Sequence, residues 1–398
     1  MNLPLQGLKV LELGHIIAGP TAGQILGDMG ADVIKVETVD GGDQARKAPG
    51  ESVAMFYMLN RNKRSIALDL KSPGGREAFF ALARNTDLVV DNFAHGAIER
   101  LGIGYDVVSA TNPRLIWLSI KGFLPGPAED RPMLDELAQM AGGLAFMTGP
   151  EGTPMRAGAS IIDINGAAYG VIAALAALRQ RDVETGKGQH ITSGLYETVV
   201  YSVAQWMATA QYSGKPSRPI SAERQDKRMG FSVYRLFSTA DGSKVFIGIV
   251  SDAHWDRFCR EFGLDHLAQD PRFVDRSSRL AHQPQLQEAV AQVIGGHSAA
   301  EVDRRLRVAM LPFAPVRRPD ELCDEEHLLK SGQLLDIPMP NGVTARLPKL
   351  PFRASGFDMP LRTPSPALGA HTRELLTEHG FTPEWIDEMA ARGAIYAG

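Results

Sequence analysis

The segment RAGASIIDINGAAYG, Arg156 to Gly170, sets one carboxylate, Asp163, between Ile161-Ile162 and Asn165-Gly166, ahead of the apolar run VIAALAAL. Two readings fit an acid in that place. Aspartate is a favoured N-cap, so it can start the helix that the alanine-rich run predicts from about Asn165 to Arg181. At the same mouth, a carboxylate sheltered from water can act as nucleophile or base. The two are compatible, because the positive end of a helix favours an anion. With a reference pKa of about 3.9 the group is expected to be ionised at neutral pH without help from a general base.

A second stretch, GHIIAGPT from Gly14 to Thr21, comes close to P-loop spacing, but Pro20 stands where the phosphate-binding lysine belongs. That argues against a nucleotide triphosphatase. The stretch also lacks G-x-G-x-x-G, which leaves a nicotinamide-dependent dehydrogenase a remote alternative resting on Glu37 alone. A helix N-terminus with exposed amides still favours a phosphate or pyrophosphate. In NRNKRSIALDLK, Asn60 to Lys71, the cations Arg61, Lys63 and Arg64 supply either a solvated loop or a phosphate clamp. DNFAHGAIERLG, Asp91 to Gly102, adds Arg100 on a helix and Phe93, whose ring can stack on a base or pack in the core. None of the ten histidines has metal-ligand spacing, and only His15, in the first turn, lies near the suspected chemistry. No metal is expected.

These residues must be positioned by something, and the pattern around them alternates strand and helix. Strand signals fall at Leu8–Leu13, Ala31–Glu37, Asp87–Phe93 and Arg114–Phe123, with helices from Pro20 to about Met29 and near Gly75–Arg84. Such alternation predicts a parallel, doubly wound α/β sheet. The turn TGKGQ ends the Asp163 helix, and another helix is expected near Glu197–Tyr212. The polar, proline-bearing stretch from 213 to 230 reads as a linker. Beyond it, VYRLFSTADGSKVFIGIV reads as a hairpin turning at Asp241-Gly242, opening a smaller mixed α+β domain over 231–329.

Composition narrows the function classes. The chain has 398 residues, 44% hydrophobic and 22% charged, with a formal net charge of -4, so no nucleic-acid partner is expected. Two cysteines, without CxxC spacing, exclude a disulfide framework. The start of the chain lacks the charged head and long apolar core of a secretory signal, and GVIAALAAL reads as too short for a membrane span. A cytoplasmic protein with no membrane partner is the expectation.

Taken together and in order, GLKVLELGHIIAGPTAGQILGDMGADVIKVE, NRNKRSIALDLK, LVVDNFAHGAIERLGI, NPRLIWLSIKGF, the Asp163 segment with ALRQRDVETGKGQ, and PFAPVRRPDEL resemble the family III coenzyme A transferases. That family also holds the α-methylacyl-CoA racemases. The resemblance implies a Rossmann-like large domain built from both chain ends, 1–212 and 330–398, and an interlocked homodimer. It implies acyl-CoA and a small organic acid as substrates, succinyl-CoA as donor, and no permanently bound cofactor. By matching motifs, Ile16, Ile17 and Ala18 line the thioester end, and Leu68 to Lys71, Asn92, Phe93 and Arg100 contact the adenosine phosphates. Asp163 aligns with the nucleophilic aspartate, and amides near Gly166 or Ala18 are expected to hold the oxyanion. Asp135 matches an acid that assists catalysis in some relatives. Racemases pair their aspartate with a histidine on the preceding segment; here Leu134 and Asp135 stand there, which favours transfer over racemisation. Pro132 and Leu134 replace the lysine and tyrosine of the formyl-CoA members, which argues against oxalate as acceptor. Arg224 or Arg228, in the linker, is the candidate partner of an acceptor's second carboxylate. A CoA-binding subunit without catalysis is the alternative from another class.

Overall fold

The computed structural model describes residues 3–221 and 230–397. Its chain forms two compact units, Met1–Ala145 with Arg156–Lys215 and Glu326–Gly398, and Phe146–Met155 with Pro216–Glu325.

The first unit is built on a seven-stranded sheet. Its strands β1 (Lys9–Glu12), β2 (Asp32–Glu37), β3 (Lys63–Leu68), β4 (Leu88–Asp91), β5 (Ile116–Lys121) and β6 (His190–Gly194) run parallel in the order 3-2-1-4-5-6. A two-residue strand, Ile395–Tyr396, adds antiparallel outside β3. The central strands β1, β2 and β4 are buried along most of their length because both faces are covered. Leu11, Ile34, Val89 and Trp117 face one core with Phe79, Leu82, Leu375 and Ile386. Val10, Val33, Val90 and Leu118 face the other, under α1 (Ala18–Asp28) and the Asp163 helix (Ile161–Gln180).

The Asp163 helix with its following turn, Ile161–Thr185, is long and apolar enough to cross a membrane by length and composition, longer than the short run suggested. Here it covers the sheet, with Ala167, Val171 and Ala174 buried against β5 and α1. After β11, paired with β10 as a hairpin (Leu334–Pro338, Thr344–Pro348), the chain returns through an irregular proline-rich passage to the helices Thr372–Glu378 and Pro383–Ala391.

In the second unit, β7 (Val233–Ser238) and β8 (Lys244–Ile249) form the expected hairpin, with Gly242 at φ 80° in its turn, and β9 (Phe313–Pro315) adds antiparallel to β8. Its core is Trp255, Phe258, Leu286, Val290 and Leu306.

Candidate active site

In a sheet of order 3-2-1-4-5-6 the winding reverses between β1 and β4, and a ligand crevice opens at the carboxyl ends of those strands. The turn Gly14–Ile17 leaves β1 there, and Asn92 and Phe93 leave β4. Asn92 stitches them together: its Oδ1 accepts the His15 amide at 2.8 Å and its Nδ2 donates to the His15 carbonyl at 3.0 Å. Phe93 meets the His15 ring edge-on at a centroid distance of 4.8 Å. Burial, and next the charge of Lys35, lower the His15 pKa, so this imidazole is neutral. The turn is tight enough that a Cβ on Gly14 would come within 2.6 Å of the Gly19 Cα.

A crossover helix runs back antiparallel to its strands, so the Asp163 helix begins at the same carboxyl edge. It starts at Ile161, four residues earlier than its apolar run suggested, and Asp163 lies inside its first turn. The N-cap residue is Ser160, whose side chain makes no capping bond. A carboxylate from another element does the capping. Asp135, first residue of the helix Asp135–Ala141, accepts the amides of Ile162 at 2.7 Å and Asp163 at 3.1 Å. Gln139 donates to the other oxygen of Asp135 at 2.6 Å and accepts the Ala157 amide at 2.8 Å, fixing the approach to the helix. The N-cap reading of Asp163 is therefore corrected.

This arrangement opposes the full ionisation expected of Asp163. The helix amides that would favour an Asp163 anion are spent on Asp135 instead. Burial, joined by the Asp135 charge, pushes the Asp163 carboxyl from 3.8 up to about 7. At neutral pH the free chain holds it near half-ionised. Gly166 is placed by packing: it lies against Leu195, its carbonyl accepts the Ser193 hydroxyl at 2.8 Å, and its amide belongs to the helix ladder. The Gly166 amide, inside the helix, is therefore not open to an oxyanion.

The expected phosphate residues divide. Lys71 and Arg100 are exposed, in the segments that follow β3 and β4. Leu68 turns its side chain into the core, 1% exposed, and pairs by backbone with Ile395, so only main-chain contact is open to it. Arg61, Lys63 and Arg64 stand at or before the amino end of β3 and are occupied. Arg61, 1% exposed, forks onto Asp28 with a shortest contact of 2.6 Å. Lys63 is buried on Glu12 at 2.6 Å. Arg64 pairs with Asp32, Glu374 and Glu378. All three cations already hold carboxylate partners, Arg61 and Lys63 in the interior and Arg64 at a part-exposed site, so a phosphate would have to displace or join those pairs. Arg224 and Arg228 lie outside the described residues.

Sequence reasoning missed the charges under the first turn. Lys35 donates to Glu12 and to the Gly14 carbonyl, both at 2.9 Å, and pairs with Asp43 at 2.9 Å. A lysine inside an apolar strand, DVIKVE, is the signal that marks it, because a buried lysine requires a buried acid.

Among known proteins the likeness is nearly full-length. The pattern defining CoA-transferase family III matches residues 5–372. A succinate–glutarate CoA-transferase of Agrobacterium fabrum is 32% identical over 94% of this chain and 95% of its own. The beta subunit of a succinyl-CoA–L-malate CoA-transferase of Chloroflexus aurantiacus is 33% identical over 99% of this chain and 98% of its own. The crystal structure of a CAIB/BAIF family protein from Brucella suis superposes with a TM-score of 0.84 at 33% identity, covering 95% of this chain and all of that one. A sheet crevice, an acid at the mouth of the helix beside it and this shared length make one conclusion: the chain belongs to CoA-transferase family III and is an enzyme of the CoA-transferase type.

Proposed function

We propose that the protein moves coenzyme A from succinyl-CoA to a small organic carboxylic acid through a covalent intermediate on Asp163. The observation that carries this reading is the Asp163 carboxyl itself, half-buried at the crevice edge, beside a helix mouth already capped by Asp135. An anion denied amide hydrogen bonds and bulk water is a stronger nucleophile than a solvated one.

The steps balance without a cofactor. An Asp163 oxygen attacks the thioester carbonyl, giving a mixed anhydride and releasing the CoA thiolate. The thiolate attacks the aspartyl carbonyl, forming an Asp163–CoA thioester and freeing the donor carboxylate. The acceptor carboxylate attacks that thioester, and the thiolate returns to the acceptor's acyl carbon, leaving acceptor-CoA and free Asp163. In this reading Ile16, Ile17 and Ala18 border the thioester, and Asn92, Phe93, Lys71 and Arg100 border the nucleotide end. Arg224 or Arg228 meets the acceptor's second carboxylate. The protein works in the cytoplasm as a homodimer. The large apolar side chains of Leu134, Leu137, Ile172 and Tyr201 are exposed in the single chain, which supports a covering subunit. Racemisation lacks its second acid–base group here, since the residue before Asp135 is Leu134, 65% exposed.

The test is trapping. The protein is incubated with succinyl-CoA and hydroxylamine, and the peptide holding Asp163 is weighed. A mass change on Asp163, absent in Asp163→Ala, is expected. An unmodified peptide under saturating donor refutes covalent transfer and leaves the non-catalytic CoA-binding subunit.

A further inference from the structure

The first turn carries a conformation that its sequence should resist. Ile16 has φ of 64°, in the left-handed region that a β-branched side chain disfavours, where glycine is the ordinary occupant. Its side chain is 38% exposed, so burial in the core does not account for an isoleucine in this conformation. Strain of this kind persists only where the surroundings over-determine it, and it gathers at ligand sites.

The surroundings here are explicit. The Ile16 amide donates to Asp43 Oδ1 at 3.0 Å, and the same oxygen accepts the Ala45 amide at 2.9 Å. Asp43 Oδ2 pairs with Lys35, whose Nζ also holds the Gly14 carbonyl, two residues before Ile16. Glu12 neutralises Lys35 on one oxygen and Lys63 on the other, and Lys63 holds the Pro20 carbonyl at 2.9 Å. Three backbone groups, at Gly14, Ile16 and Pro20, thus hang on one buried and charge-balanced set: Glu12, Asp43, Lys35 and Lys63. Asp43, Lys35 and Glu12 are fully buried. Burial opposes ionisation of Asp43, but Lys35 and the two amides outweigh it and hold its pKa below the ordinary value, so the acceptor is a permanent anion.

We propose that Asp43, backed by Lys35, is a positioning residue that locks Ile16 in the left-handed conformation so that its side chain forms one wall of the acyl-thioester subsite. This rests on the reading that acyl-CoA lies over the turn after β1. Neither Asp43 nor Lys35 touches substrate; both act through the Ile16 backbone. Isoleucine stays at a glycine position because the wall needs its side chain.

The experiment is a double-mutant cycle of Asp43→Ala and Ile16→Gly, read as kcat, KM for succinyl-CoA, Kd for succinyl-CoA by calorimetry, and Tm. Ile16→Gly adopts the conformation freely, so its Tm is expected to stay within a few degrees of wild type while KM rises about tenfold. Asp43→Ala is expected to raise KM about tenfold as well. In the Ile16→Gly background the same Asp43 substitution should change KM less than twofold, because the wall it positions is gone. Additive effects would overturn the proposal, as would an Ile16→Gly enzyme with unchanged KM. The second result stands even where Asp43→Ala fails to fold. Were the wild-type protein to transfer CoA from no donor, the transferase reading would fall, and the cycle read in the Kd of succinyl-CoA, which carries the thioester, would still decide this proposal by the same criteria.

Discussion

Replacing Asp135 by asparagine should move the pH dependence of the enzyme in a direction that follows from the geometry. The Asp163 carboxyl stands at about 7 against an ordinary 3.8. Burial is the larger cause, so the Asp135 charge accounts for the smaller share, ~1 pKa unit or ~1.4 kcal/mol. The asparagine carbonyl keeps an acceptor for the Ile162 amide but removes the charge. The Asp163 pKa should then fall to ~6, and at pH 6 its ionised fraction rises from about one tenth to about one half. The assay is kcat/KM for succinyl-CoA from pH 5 to 9, whose acid limb reports the nucleophile of the free enzyme. The height of the plateau can drop, since the helix also loses a good cap, worth about 1 kcal/mol. The midpoint of the limb is the quantity that matters. A midpoint that stays in place or moves upward would refute the assignment of Asp163 as the group that must ionise, or of Asp135 as the charge that opposes it.

Other outcomes follow from the same contacts. Asp163→Asn should abolish transfer yet stabilise the protein at high pH. A carboxyl whose folded pKa exceeds its unfolded pKa binds more protons when folded, so wild-type stability falls as pH rises from ~4 to ~7. The stability gap between variant and wild type, read by denaturant unfolding, should therefore widen between pH 5 and 8, by about 2 kcal/mol after allowing for partial solvent access; a constant gap counts against the raised pKa. Arg61→Ala should lower stability strongly, by about 3 kcal/mol, because the Asp28 charge is left buried without its cation. Its CoA affinity, measured well below the transition, should match wild type, and a tenfold weaker Kd would restore the phosphate clamp. Gly19→Ala should distort the first turn, since its Cβ would sit 2.5 Å from the Gly14 Cα. A cost of about 2 kcal/mol in stability and loss of CoA binding are expected, and an unaffected variant would show the turn is not the binding element.

Much of the fold was legible because its determinants are local. Apolar runs such as VLEL and DVIKVE announce strands buried on both faces, and Asp241-Gly242 announces a hairpin. The start of the Asp163 helix was misjudged because the group that caps it, Asp135, lies 28 residues away from Asp163. No spacing rule reaches that far. The same limit explains the cations before β3. A run of arginine and lysine looks solvated or ligand-binding until Asp28, Glu12 and Asp32 are seen to meet it, and those pairings exist only once the sheet has formed. Asp163 was visible as a chemical group, but its proton affinity was not, since burial and a neighbouring charge are properties of the assembled site.

The edge of the sheet carries a consequence for how the chain is made. β3 is translated early, yet the groups that finish it arrive very late. Its Ser65 amide is bonded to the ring of His371, 306 residues on, and Leu68 and Ala67 pair with Ile395 and Tyr396. Between them the whole second unit must be synthesised. Until then β3 is a strand edge without its outer partner, its apolar end Ile66–Leu68 able to pair with another nascent chain. Closing so long a loop is also slow, because its entropy is lost before the contacts repay it. Folding in the cell should therefore depend on protection of the β3 edge, and truncation just before Ile395 should yield aggregation at the ribosome rather than a weakened enzyme.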